Sequence, residues 1–186
     1  MKNLLFFLMV LSFAGCKTGE GDKNALRRVP SSQVKNEVLV GEIERNDLLS
    51  PPHASWFNSN FDRYRPEKED LDLIVSNLPG IDSIKIFMGT WCIDSRREVP
   101  KFFKLLKWAD YDLAKVYISS LKLNKTAPND PQDSFDVIMI PTFIFYKEGR
   151  ELNRFVEYPR ETFEKDIAKI VSQQPYRHSY YKEVAE

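Results

Sequence analysis

The sequence predicts an α/β fold, a mixed β-sheet flanked by helices, with an N-terminal extension. Three observations predict it. An apolar run from Ile84 to Met88 has strand character and leads into a helical pattern, in which Val99, Phe102, Phe103, Leu105 and Leu106 recur at three- and four-residue spacing. Two strand-like segments, Thr142 to Tyr146 and Glu151 to Glu157, flank a turn at Glu148-Gly149. An amphipathic segment from Arg160 to Ser172 turns Phe163, Ile167, Ile170 and Val171 inward. That order of strands and helices argues an α/β sandwich with a mixed sheet.

The chain has 186 residues, which suggests one domain with extensions. Lys plus Arg equals Asp plus Glu, 27 each, so no net field draws nucleic acid or a membrane surface. The two cysteines, Cys16 and Cys92, lie too far apart in sequence to build a zinc site. His53 and His178 show no ligand spacing, so neither metal nor cofactor is expected.

Residues 1–15 read as a targeting segment. Lys2 gives a basic start, Leu4 to Phe13 is apolar, and Ala14-Gly15 precede Cys16. The apolar run is shorter than the ~20 residues needed to span a bilayer. Small residues just before a cysteine resemble a bacterial lipoprotein signal, in which Cys16 is lipidated and becomes the new N-terminus. The expectation is an extracytoplasmic protein, lipid-anchored to a bacterial membrane at its periplasmic face or the cell surface. Phe13 departs from the usual Leu of such signals, and the other reading is an ordinary secretory signal. Residues 16–36 are polar and punctuated by Gly19, Gly21 and Pro30, and read as a flexible tether.

Residues 37–80 read as the N-terminal extension: a short strand from Val38 to Ile43, an aromatic loop, and a helix. The loop, Leu48 to Arg65, holds Pro51-Pro52 and the aromatics Trp56, Phe57, Phe61 and Tyr64. It is expected to cover the body or to wall a substrate groove. The helix, Pro66 to Leu78, begins with Pro and acids, sets Leu71, Ile74, Val75 and Leu78 on one face and ends at Pro79-Gly80. Residues 81–172 form the core domain: a central strand (83–88), a helix (92–107) containing Pro100, a strand (115–119), a polar loop (121–134), a lead-in to Pro141, the hairpin and the last helix. Pro100 should kink its helix. Residues 173–186 are a tail, rich in tyrosine, that docks on the body or hangs free.

Cys92 sits where the central strand hands over to a helix N-terminus. Unpaired N–H groups and the helix dipole favour negative charge there, which is where a cysteine sulfur becomes a nucleophile. Asp94 opposes this, since a carboxylate beside a thiolate disfavours it. Ser95 lies one turn on, so its hydroxyl can donate to the Cys92 sulfur, but it cannot resolve a mixed disulfide. A cysteine left unpaired in a secreted chain points to a reactive thiol or an intermolecular partner; the alternative is an inert structural thiol.

Two motifs carry a resemblance. The first is Trp91-Cys92-Ile-Asp-Ser95-Arg96-Arg-Glu98-Val-Pro100. The second is Ile140-Pro141-Thr142 followed by the hairpin. Together they resemble the thioredoxin superfamily, and most closely its TlpA/ResA-like membrane-anchored branch, over roughly Asp82 to Val171. The resemblance implies a thioredoxin-like fold and Cys92 as catalytic nucleophile. It implies a cis bond before Pro141, with Trp91, Ile140 and Pro141 binding substrate, and Glu98 as an active-site proton acceptor. The chain departs from the family at two places. Ser95 stands where the family has its second cysteine, giving Cys-x-x-Ser. Ile86 stands where many thioredoxins carry a buried Asp.

Two functions follow. One is thiol–disulfide exchange through a single cysteine, forming mixed disulfides with protein or low-molecular-weight thiols and released by an external thiol donor. The other is a catalytically weak binding module or chaperone that uses the groove beside Pro141. Retained Trp91-Cys92 and Pro141 favour the first; Ser95 and Ile86 favour the second.

Overall fold

A computed structural model describes residues 38–182. The signal at 1–15, the tether at 16–36 and lipidation at Cys16 lie outside the described residues, as does the end of the tail.

The sheet has five strands in the order β1-β3-β2-β4-β5. These are β1 (Gly41–Ile43), β2 (Ser83–Met88), β3 (Val116–Ser120), β4 (Thr142–Lys147) and β5 (Arg150–Val156). β2 runs parallel to β3, and the other three pairs are antiparallel, so the sheet is mixed. The parallel pair needs a crossover, and the helix α4 (Ile93–Trp108) supplies it. α1 (Arg45–Leu48), α2 (Ala54–Arg63) and α3 (Lys68–Asn77) precede β2, and α5 (Pro131–Ser134) and α6 (Phe163–Val171) follow later. The fold is the thioredoxin-like α/β arrangement that the motifs imply. Among the described residues no helix is long and apolar enough to cross a membrane.

Strand alternation sorts side chains to two faces. Ile84, Ile86 and Met88 of β2 and Phe143 and Phe145 of β4 join Phe102, Phe155, Phe163 and Ile167 in the main core. Ile86, at the position of the family's acid, is fully buried there. Phe102 stacks on Phe143 with ring centroids 4.7 Å apart, and Phe163 meets Phe102, Phe143 and Phe155 edge-on. The opposite face gathers Phe87, Ile144, Leu121, Ala127, Ile140 and Cys92 in a smaller cluster. So the second core reaches the cysteine, and the first underpins the strand that follows Pro141.

The aromatic stretch expected as a loop is largely the ten-residue helix α2. Phe57, Phe61 and Tyr64 recur at four- and three-residue spacing, which places them on one helical face. Phe57 is fully buried against Phe103 of α4. The preceding Pro51-Pro52 bond is cis, and the chain turns there before the helix begins. The first strand is shorter than expected, because only Gly41–Ile43 have partners, on β3. In α3, Ile74 is fully buried, but Val75 is 37% exposed, so the apolar face is narrower than the sequence pattern suggested. The 4-residue helix α5 interrupts the polar loop. α4 runs unbroken through Pro100, from Ile93 to Trp108.

The last helix is capped by Thr162, whose hydroxyl accepts from the Lys165 N–H. The tail docks on the body. Asp166 is fully buried and accepts from the Arg160 and Glu161 N–H groups and, at 3.1 Å, from the Tyr176 hydroxyl. Burial pushes the Asp166 carboxyl above its ordinary range, and burial with the Asp166 charge pushes the Tyr176 phenol up. Further along, the Tyr180 hydroxyl donates to Glu157.

Candidate active site

Cys92 is the N-cap of α4, in extended conformation, and its carbonyl accepts the first bond of the helix from Arg96 N–H at 3.0 Å. The turn before it is closed by Cys92 N–H donating to the Gly89 carbonyl, also at 3.0 Å. The sulfur is therefore fixed to the positive end of a sixteen-residue helix. Its residue is 9% exposed, so the thiol reaches the surface only at its edge. Among the described residues it is a free cysteine.

Opposite the thiol lies the segment before β4. The Ile140–Pro141 peptide bond is cis. Cys92 Sγ donates to the Ile140 carbonyl at 3.5 Å, across 48 positions of sequence. The thiol makes this contact as a donor; a thiolate has no proton to place there. Trp91 flanks the site, and its indole Nε1–H donates to the Leu121 carbonyl at 2.8 Å.

Gly89 makes room for that indole. A Cβ at Gly89 would lie 2.7 Å from Trp91 Nε1 and 3.1 Å from Ile140 Cδ1. Gly89→Ala is thus expected to push the indole off Leu121 and to cost about 1–3 kcal/mol through overpacking. Near-UV circular dichroism should change with the loss of stability in denaturant. An unchanged spectrum with unchanged stability would show that the indole has slack.

Ser95 is fully buried one turn into α4, and its Oγ accepts from the Gly89 N–H at 3.2 Å. The hydroxyl thus braces the turn before the cysteine. Asp94 is tied to Arg97 at 2.7 Å, so a cation offsets the charge that opposed the nucleophile.

Glu98 is 1% exposed and ion-paired with Arg97 Nε at 2.5 Å and Lys101 Nζ at 3.0 Å. Lys101 in turn lies over the rings of Tyr64 and Phe163. At 3.6 residues per turn Glu98 projects about 120° round the helix from Cys92. Tyr64, whose hydroxyl donates to Glu164 at 3.0 Å, is pushed well up by burial and by Glu164, with Glu98 contributing.

The sequence showed Arg96 only as a motif residue, and its contacts were not legible there. Arg96, on the Cys92 side of α4, donates through Nε to the Thr90 carbonyl at 2.5 Å, and its guanidinium lies 5.8 Å from the Trp56 ring centroid. Asn60 of α2 donates to the Arg96 carbonyl at 3.1 Å. The aromatic composition of α2 was the available signal; its partner on α4 was not.

Fold and site together define the class: a thioredoxin-like domain with a cysteine at the N-terminus of its central helix, facing a cis-proline. Similarity in sequence runs the same way. The chain is 27% identical over 85 residues to thioredoxin H2 of Arabidopsis thaliana, covering 45% of this chain and 59% of that protein. It is 29% identical over 87 residues to an H-type thioredoxin of Picea mariana, covering 46% of this chain and 64% of that one. The chain thus spans less than two thirds of either relative. Among solved structures it is similar to Fasciola hepatica thioredoxin, with a TM-score of 0.31 and 25% identity, covering 47% of this chain and 79% of that one. It is also similar to a Pseudomonas aeruginosa protein of unknown function, with a TM-score of 0.46 and 15% identity, covering 64% and 81%. No family model matches the chain.

Proposed function

We propose that the protein is a TlpA/ResA-like, extracytoplasmic thiol–disulfide exchange protein that works through one nucleophilic cysteine in a Cys-x-x-Ser site. The observation that carries this reading is the Cys92 sulfur at a helix N-terminus, 3.5 Å from the carbonyl ahead of cis-Pro141. Thiolate attack on a substrate disulfide forms a mixed disulfide at Cys92, and an external thiol then releases it. Trp91, Ile140 and Pro141 form the groove that receives the substrate. Ser95 holds the turn and leaves the adduct unresolved. Glu98, the proton acceptor that the resemblance implies, is turned away from Cys92, and acting so requires exchanging its pairs with Arg97 and Lys101. No cofactor enters this chemistry.

The test is trapping. Protein isolated without reductant should carry a disulfide-linked partner that is absent from Cys92→Ala. If stoichiometric oxidised substrate leaves Cys92 unmodified at neutral pH, exchange is not the function. The burial of Cys92 and Ser95 supports a second reading, a binding module or chaperone that keeps the groove without turnover.

The sequence around Cys16 supports lipid anchoring as part of the same proposal. Wild-type protein should enter the detergent phase on temperature-induced partition, and Cys16→Ala should stay in the aqueous phase; wild type already aqueous after signal cleavage would remove the anchor.

A further inference from the structure

Beside the cysteine lies a recess of about 410 Å³, built between the N-terminal extension and the start of α4. Pro52, His53 and Trp56 form one wall, and Thr90, Trp91 and Arg96 the other. That volume falls in the range of small-molecule sites.

The chemistry of its lining is one-sided. Among the described residues none that lines it is an acid, and Arg96 brings a guanidinium. That group is pre-set: Nε is held by the Thr90 carbonyl and the plane is packed near Trp56. Such fixing lowers the ordering cost of binding a planar anion. Trp56 lines the same recess; its Nε1–H is buried and meets no acceptor among the described residues, and a carboxylate oxygen would reach it only with a small shift of that wall.

Position links the recess to the reaction. Arg96 follows Cys92, the N-cap of α4, by four residues, and its N–H donates to the Cys92 carbonyl at 3.0 Å, so the two lie at the same end of the helix. Trp91, adjacent to Cys92, belongs to both sites.

We propose that this recess binds the carboxylate of a low-molecular-weight acidic disulfide and presents its sulfur to Cys92. The proposal rests on the exchange reading above and names its substrate class. In the step, Cys92 S–H and R–S–S–R give Cys92–S–S–R and R–S–H. One sulfur–sulfur bond breaks and another forms; the Cys92 sulfur is oxidised, and the departing sulfur is reduced and takes the proton.

The test compares 3,3′-dithiodipropionate with bis(2-hydroxyethyl) disulfide, which differ in the carboxylates. Adduct formation at Cys92 is followed by intact mass, and each rate is divided by that of a small free thiol with the same reagent. Wild type should favour the diacid about tenfold, the scale of one charge-assisted hydrogen bond. Arg96→Gln should bring the ratio towards one. Trp56→Phe keeps the ring over Arg96 and removes only the N–H, and should lower the ratio partly, which guards against misfolding of the arginine variant.

Equilibrium binding of the same diacid to Cys92→Ser, read by tryptophan fluorescence, separates the two claims. Equal normalised rates in wild type, or a ratio that survives Arg96→Gln in folded protein, overturn the recess and leave exchange standing. Diacid binding to Cys92→Ser with no adduct in wild type overturns exchange and keeps the recess as a carboxylate site. Neither binding nor adduct overturns both.

Discussion

Ser95→Cys is expected to close an internal disulfide with Cys92 and to raise dithiol-driven reduction of a protein disulfide at least about tenfold over wild type. Residues three apart on a helix have Cβ atoms about 5–6 Å apart, and disulfides need about 3.5–4.5 Å. A small shift at the N-cap, where Cys92 is already in extended conformation, supplies the difference. The change has a cost: Gly89 N–H loses a good acceptor, worth about 1 kcal/mol. It also has a ceiling, because Ile86 leaves the new cysteine without the family's buried acid, and Glu98, held by Arg97 and Lys101, would have to take that proton. Thiol titration before and after oxidation checks the bond, and turnover with an external dithiol checks the activity. A variant that keeps two titratable thiols under oxidant, or gains no turnover, would mean that Ser95 is not what limits release.

Phe143→Ala is expected to lower stability by about 3–5 kcal/mol, from a total of about 5–15 for a domain. Phe143 is fully buried, stacks on Phe102 at 4.7 Å and packs on Phe155 at 5.5 Å and Phe163 at 5.9 Å. Truncation leaves a hole bordered by three rings from three different elements, and none can move without losing its other contacts. Phe143 also lies two residues after Pro141, so the loss reaches the strand that positions the groove. Ile93 is the contrast: it follows Cys92 directly, is 75% exposed, and Ile93→Ala should stay within about 0.5 kcal/mol. Urea unfolding of the pair measures both. A loss under about 1 kcal/mol for Phe143→Ala would show that the rings close over the gap.

The sequence showed what short-range pattern can show. β2, α4, the β4–β5 hairpin and α6 were legible because each buries one face and so carries a period. Cys92 and Pro141 were legible because their local motifs are distinctive. α2 was hidden behind Pro51-Pro52 and among Ser and Asn residues, though Phe57, Phe61 and Tyr64 kept helical spacing. The docking of the tail was not legible, since it depends on Tyr176 meeting the buried Asp166 and Tyr180 meeting Glu157, pairs that no local pattern announces. The same holds for Arg96 and Trp56, forty positions apart. Nor did the sequence reveal that Ser95 braces Gly89 or that Glu98 is enclosed by two cations.

β5 ends the sheet on its outer side, and a strand with one free edge invites another chain to pair with it. Here that invitation is withdrawn. Arg154 grips Glu151 and also donates to the Phe135 and Asp136 carbonyls. Asn153 reaches the Tyr176 carbonyl of the docked tail. Arg150 and Glu151 put charge along the same border, so a strand arriving from a neighbouring molecule would have to strip these groups of water and partners. The tail adds one bond to that border through the Tyr176 carbonyl, so a chain cut before Tyr176 would keep Cys92 in place while Asn153 lost its partner at the sheet edge.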